Sequence, residues 1–271
     1  MAGIAVAATG PFGAAILAGL VSRREIEFVL TRPDRPAGRG RKKKRPPAKE
    51  VAAEHGLRVE QPERVTEFPG EARVVIVADF GVLIPEKLLN ERLWLNVHPS
   101  LLPRWRGPAP VERAIMAGDR ETGVTVHRTT AELDAGPIAG QRRFPIGPDD
   151  DAGVVFERAT RVALELLDEV FTEPTFTPQP EAGATYADKI TSADRELDWE
   201  APPEENLNKI RALSPHIGAR GLVEGRRLLV WRARPARPES LLSVGGLELL
   251  EVQREGGKRM TAEEYVRGLR R

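Results

Sequence analysis

An α/β domain built on a doubly wound, mostly parallel sheet, followed by a small β-rich barrel, is the fold this sequence predicts. Three observations carry that expectation. Residues 4–8 (IAVAA) and 73–79 (RVVIVAD) contain apolar runs typical of strands buried on both faces. The first run leads through a Gly-containing turn and a helical stretch into another strand, the β-α-β opening of doubly wound sheets. Beyond a proline-rich connector at 174–183 (PTFTPQPEAG), short alternating strands take over, in a tail too small for a second α/β domain.

In chain order, Thr9-Gly10-Pro11-Phe12-Gly13 is a turn, 14–20 its helix and 27–30 the second strand. Gly10 and Gly13 lack the first glycine of the dinucleotide fingerprint and read as serving a tight turn and close helix packing. Residues 31–47 hold Pro33, Pro36, Pro46 and Pro47 with Gly38 and Gly40, which predict a loop without regular structure. A helix resumes over 47–55, with Val51 and Ala52 inward. The strand at 73–79 is central, and 80–85 is the loop at its C-terminal end. Next come a strand ending at His98, a helix over 110–117, a strand over 123–127 and an edge strand over 141–144. Asp149, Asp150 and Asp151 precede a helix over 152–171, where its dipole favours carboxylates. Its inward positions at 3.6-residue spacing are Val154, Val155, Ala159, Val162, Ala163, Leu166, Leu167 and Val170. The tail reads as a helix over 204–213 (Leu207, Ile210 and Leu213 inward), strands near 221–223, 227–232 and 246–252, and a closing helix over 261–270.

A length of 271 residues suits two domains and a real core. Without cysteine there is no disulfide framework and no thiolate chemistry, and a reducing compartment is permitted. The N-terminal run lacks a basic n-region, and no stretch reaches about 18 uninterrupted apolar residues, so a cytoplasmic, soluble protein is expected. The net charge of +1, from 41 basic and 40 acidic residues, argues against a wholly basic nucleic-acid coat. The distribution is uneven, however: Arg35, Arg39, Arg41, Lys42, Lys43, Lys44, Arg45 and Lys49 occur within 35–49 with no acidic residue among them. Such a run is either a solvated loop or, at the C-terminal edge of a parallel sheet, a finger that neutralises phosphates.

The chemistry concentrates at 94–113, WLNVHPSLLPRWRGPAPVER. On a strand, Asn96 and His98 share a face with Cα atoms roughly 6.5–7 Å apart, and Pro99 ends the pairing. Asp134, in the loop after the next strand, is placed to join them. A carboxylate beside an imidazole raises its pKa and fixes its orientation, while an amide is a ready donor to an oxyanion. No G-x-S-x-G elbow accompanies the set, which therefore suits acyl or formyl transfer by direct attack of an amine. Spacing alone serves strand-end and turn capping equally well. His55 reads as a surface residue, His127 as core or surface on a strand of undetermined facing, and His216 as a turn residue, and no metal-ligand spacing appears, so no metal is expected.

Three blocks carry a resemblance: NVHPSLLPRWRGPAP at 96–110, AGDRETGVT at 117–125 and LDAGPI at 133–138. They resemble the folate-dependent formyltransferases. RPDRPAGRG at 32–40, PQP at 178–180, YADKI at 186–190, LDW at 197–199, IRALSP at 210–215, LLEVQ at 249–253 and KRMTAEEYVRG at 258–268 select the branch that acts on charged initiator tRNA. The resemblance implies a Rossmann-like formyltransferase domain over 1–189, and a linker helix with a shortened OB-like tRNA-binding barrel over 190–271. It implies 10-formyltetrahydrofolate as co-substrate and methionyl initiator tRNA as partner; a monomer is expected. Residue by residue, Asn96, His98 and Asp134 match the catalytic trio, with a protonated His98 and Asn96 directed at the formyl oxygen. Ser100, Leu101, Leu102 and Pro103 match the folate loop, and Arg39, Arg41, Lys42, Lys43, Lys44 and Arg45 fall in the tRNA-contacting insertion. Pro99 stands where the tRNA enzymes usually carry Ala, Gly107-Pro108-Ala109-Pro110 replaces Gly-Ala-Ala-Pro, and the barrel is a hairpin short between Arg234 and Leu247. Two alternatives stand beside this reading: a formyltransferase with a nucleotide or sugar amine as acceptor, and a non-catalytic RNA-binding homologue.

Overall fold

The computed structural model describes residues 3–37, 42–172 and 174–269. Its elements run β1 (Ile4–Ala8), α1 (Pro11–Val21), β2 (Ile26–Leu30), β3 (Arg35–Ala37), β4 (Lys42–Lys44), α2 (Pro47–Glu54), β5 (Val59–Glu60), β6 (Val74–Ala78) and α3 (Glu86–Glu91). They continue as β7 (Leu93–His98), α4 (Pro110–Met116), β8 (Glu121–Arg128), β9 (Ile138–Pro145), α5 (Ala152–Thr172) and α6 (Pro203–Leu213). The chain closes with β10 (Ala219–Val223), β11 (Arg226–Pro235), β12 (Ser243–Val244), β13 (Leu247–Arg254), β14 (Arg259–Thr261) and α7 (Ala262–Leu269). Two compact units result, one from Met1–Pro108, Gly123–Arg143 and Arg158–Tyr186, the other from Ala109–Thr122, Phe144–Glu157 and Ala187–Arg271.

A seven-stranded sheet in the order β5-β2-β1-β6-β7-β8-β9 organises the first unit. Pairing is parallel from β5 through β7 and antiparallel between β7 and β8. The first chain run moves outward from β1 to β2 and β5, then returns to β6 on the other side of β1. That reversal leaves the C-terminal strand ends as the natural place for a ligand. β1 is buried on every residue, as its small apolar composition requires. A Cβ on Gly13 would lie 2.3 Å from the Ala78 carbonyl oxygen, so the glycine serves close packing of α1 on the sheet. Phe28, Phe68 and Trp94 stack edge to face within the core of one sheet face.

The second unit carries a five-stranded antiparallel sheet, ordered β10-β11-β13-β12, with β14 also on β13. The β11–β13 register slips between Val230 and Arg232 and again before Ala233. Such irregularities increase twist and curl the sheet. Inside it, Leu228, Val230, Leu249, Val252 and Tyr265 pack with Ile210 and Leu213 of α6.

The structure corrects the sequence reading in three places. The basic stretch is not wholly irregular: β3 and β4 pair antiparallel, Pro36 opposite Lys43. A two-stranded ribbon has open edges, where a residue without an N–H is tolerated. Val154, assigned to the inward face of the long helix, is 41% exposed, because it lies in the first turn, where Asp151 caps the Val154 N–H at 3.0 Å. Finally, α3, β5, β12 and β14 were not anticipated; none exceeds six residues, too short for a periodic signal. Among the described residues no helix is long and apolar enough to cross a membrane.

Candidate active site

β7 and β8 build the floor of the site. In their antiparallel ladder Asn96 stands directly opposite His127 and His98 opposite Thr125. Directly opposed residues project from the same face, so His127 Nε2 comes within 3.2 Å of Asn96 Nδ2. His127 Nδ1 lies 3.1 Å from the Arg128 carbonyl, which only accepts, so Nδ1 carries the hydrogen there and Nε2 faces the Asn96 amide. His127 is buried to 1% exposure, so its assignment to core or surface is half right, but its partners belong to the site. Two-residue periodicity along 123–127 pairs it with Thr125; which face they share depended on a register the sequence does not state.

Asp134 comes from the turn between β8 and β9. Its backbone is left-handed, φ +49°, and a Cβ on Gly136 would sit 1.8 Å from the Arg128 carbonyl oxygen. That fit requires glycine two residues on and pins the turn against β8. The Asp134 carboxylate accepts the Gly107 N–H at 2.9 Å and the Asn96 Nδ2 at 3.0 Å. His98 Nδ1 and His127 Nε2 each lie 3.6 Å from one of its oxygens. The expected trio is thus brought together.

Electrostatics sharpen and partly reverse the expectation for His98. Burial, the largest influence, pushes its pKa below the ordinary 6.5, outweighing the upward pull of Asp134. The imidazole is therefore held neutral, not protonated. Its Nε2 lies 2.8 Å from the Trp105 carbonyl, which only accepts, so Nε2 carries the hydrogen and Nδ1 faces Asp134 as a free base. Burial alone would raise the Asp134 carboxyl, but the adjacent imidazoles and the Gly107 N–H bring it down to about 2. An ionised carboxylate thus waits beside a neutral base. Asn96 Nδ2 already faces Asp134 and His127, so donation to an oxyanion requires it to exchange one of these partners.

The SLLP loop follows β7. Ser100 is fully buried, its Oγ donating to the Arg104 carbonyl at 2.7 Å. Thr125 Oγ1 bridges the Ser100 carbonyl (2.7 Å) and the Leu102 N–H (3.1 Å), and Gln141 donates to the Leu102 carbonyl at 2.9 Å. These bonds pre-organise the loop, and Leu102 is buried while Leu101 and Pro103 are half-buried. The Ser100 hydroxyl points at this scaffold. Two residues that lie in the sequence motifs but carry no expected site role support the site: Arg106, 1% exposed, and Gln179 of the PQP motif, whose amide links Arg106 to the Asp134 turn.

The basic ribbon is a separate feature. Lys43, Lys44 and Arg45 are exposed; Arg39 and Arg41 lie outside the described residues, as does the side chain of Lys42. Lys49 instead pairs with Asp34 at 2.8 Å, and Gln61 bonds both Asp34 (3.0 Å) and the Arg32 carbonyl (2.7 Å). One of the eight basic residues thus anchors the ribbon's base. Among the described residues, no group of three His, Asp or Glu side chains is placed to hold a metal ion.

Comparison with known proteins gives this geometry a family. Residues 3–171 match the family described as "Formyl transferase", and 189–247 match "Formyl transferase, C-terminal domain". Methionyl-tRNA formyltransferase of Chromobacterium violaceum is 38% identical over 97% of this chain and 95% of its own length. The Paracoccus denitrificans enzyme of the same name is also 38% identical, over 96% and 95%. Among solved structures, HypX from Aquifex aeolicus in complex with tetrahydrofolic acid aligns with a TM-score of 0.68 at 19% identity, over 97% of this chain and 46% of that longer protein. WlaRD, a sugar 3N-formyltransferase with dTDP and 5-N-formyl-THF, aligns at 0.65 and 17% identity over 88% and 87%. These two likenesses concern the fold.

Proposed function

The chain belongs to the methionyl-tRNA formyltransferase family, and from that premise we propose how its own residues carry the transfer. The donor is 10-formyltetrahydrofolate, seated along the SLLP loop at Ser100, Leu101, Leu102 and Pro103, whose backbone is held rigid from behind by Thr125 and Gln141. The acceptor is the free α-amine of methionine on initiator tRNA. The amine attacks the formyl carbon, and His98 Nδ1 takes the proton that this nitrogen loses. The resulting imidazolium is stabilised by ionised Asp134, 3.6 Å away. Asn96 turns one N–H from His127 to the oxygen that becomes negative. When the bond between the formyl carbon and folate N10 breaks, the proton on His98 passes to N10, and tetrahydrofolate leaves.

One observation carries this reading: a buried imidazole whose Nε2 lies 2.8 Å from Trp105 O and whose Nδ1 faces the Asp134 carboxylate at 3.6 Å. Lys43, Lys44 and Arg45 on the ribbon, with Arg39, Arg41 and Lys42, neutralise tRNA phosphates. We assign transfer to 1–189, tRNA contact beyond the ribbon to 190–271, and a monomeric state. The test offers labelled 10-formyltetrahydrofolate with methionyl initiator tRNA and glycinamide ribonucleotide as competing acceptors. Label on the tRNA supports the reading; preferential label on the ribonucleotide overturns it in favour of a small amine acceptor.

A further inference from the structure

We propose that Gln179 is a positioning residue for the transfer, latching the Asp134 turn to a buried arginine; the inference rests on the site assigned above. The Gln179 Nε2 donates to two carbonyls, Asp134 O and Gly136 O, each at 2.8 Å. These flank the turn that presents the carboxylate, and Asp134 sits there in the left-handed region at φ +49°. That region is uncommon for a non-glycine residue, although Asp adopts it more readily than most, and contacts from its surroundings help to hold it there. Two bonds from a single amide, one to either side of residue 135, supply that constraint.

The amide has two possible orientations, and the wrong one would set an oxygen against two carbonyls. Arg106 selects the right one. Its Nε and Nη2 lie 3.2 and 3.0 Å from Gln179 Oε1, and a guanidinium donates but never accepts. Arg106 is only 1% exposed, and the carboxylate of the largely exposed Glu181 is 3.9 Å away. A buried cation of this kind demands acceptors, and Gln179 Oε1 provides one. The residue after Arg106 is Gly107, whose N–H donates directly to the Asp134 carboxylate. Backbone and side chain of 106–107 thus hold Asp134 from both ends, one directly and one through Gln179. The proline-rich connector that reads as a boundary in the sequence is, at this point, a strap across the site. Its two prolines, Pro178 and Pro180, flank Gln179 and limit the backbone freedom of the residue that makes the latch.

Gln179→Glu separates positioning from packing. It preserves size and offers Arg106 a stronger acceptor, while removing both donors to the turn and setting a carboxylate against its carbonyls. Steady-state formyl transfer to methionyl initiator tRNA is measured as a function of pH for the wild type, Gln179→Glu, Gln179→Met and His98→Ala, each with its thermal midpoint. The expected result for Gln179→Glu is a folded protein with KM for both substrates within about threefold of wild type, kcat lowered at least tenfold, and a displaced acidic limb of the kcat profile. Gln179→Met, which lacks donor and acceptor alike, is expected to lower kcat similarly and to cost more stability, because Arg106 then loses its acceptor. Wild-type kcat and an unmoved acidic limb in either folded variant, with His98→Ala inactive, would overturn the latch and leave the site reading intact. An active His98→Ala would instead overturn the site reading itself.

Discussion

Asp134→Asn changes one atom and reverses one hydrogen-bonding role, which makes its consequences calculable. The carboxylate accepts from Gly107 N and Asn96 Nδ2 through different oxygens. An asparagine has one acceptor oxygen, so its NH2 must face one of these donors. Leaving a buried donor without an acceptor costs roughly 1–3 kcal/mol. The Asp134 carboxyl is held below its ordinary range, at about 2, with the adjacent imidazoles and the Gly107 N–H as the lowering influences. A depressed carboxyl contributes this stability in full above its unfolded value and loses it as pH falls through the folded value. The deficit of Asp134→Asn is therefore expected to be constant near pH 7 and to shrink below about pH 4, as read by urea denaturation at both pH values. Turnover should fall further than stability explains, by roughly 10²–10⁴, since the imidazolium formed during transfer loses its counter-charge. Removing Asp134 also removes the upward pull on His98, so the acidic limb of kcat should move to lower pH. A folded variant with kcat within threefold of wild type would refute the role given to the carboxylate.

Three other perturbations follow from the same geometry. Gly136→Ala places a Cβ 1.8 Å from the Arg128 carbonyl oxygen, backbone against side chain with nothing flexible to yield, and should lower stability by roughly 1–3 kcal/mol in thermal unfolding; an unchanged midpoint would contradict the tight turn. Replacing Lys43, Lys44 and Arg45 with Ala should flatten the dependence of log K on log salt for tRNA binding by about 2–3, and an unchanged slope would move the phosphate contacts elsewhere. His127→Leu frees the Asn96 amide from its anchor and should lower kcat about tenfold or more if that amide serves the oxyanion; wild-type kcat would remove His127 from the site.

Long apolar runs and punctuation made most of the fold legible in advance. Residues 4–8 and 73–79 become β1 and β6 at the centre of the sheet, because continuous burial on two faces leaves an unmistakable composition. The Asp151 cap and the apolar stripe of the long helix survive, apart from Val154 in its first turn. Asn96 and His98 were readable from two-residue spacing, and Asp134 from its glycine-bearing turn. His127 was not, because it joins the site through an antiparallel register, and register is a property of two strands together. Gln179 was visible only as the centre of the PQP motif at 178–180, with no role attached, because the partners that give it one lie far away in sequence. The protonation of His98 was misjudged for a related reason. A neighbouring carboxylate is visible in the sequence, whereas the burial that outweighs it is a consequence of the fold.

Single-turnover formyl transfer from 10-formyltetrahydrofolate to methionyl initiator tRNA, compared between wild type and His98→Ala with both substrates saturating, bears most directly on the claim that the buried imidazole accepts the proton of the attacking amine. A loss of about three orders of magnitude or more, with both substrates still bound and the variant folded, is the expected result. A rate within about tenfold of wild type would contradict it and put the chemistry on other groups.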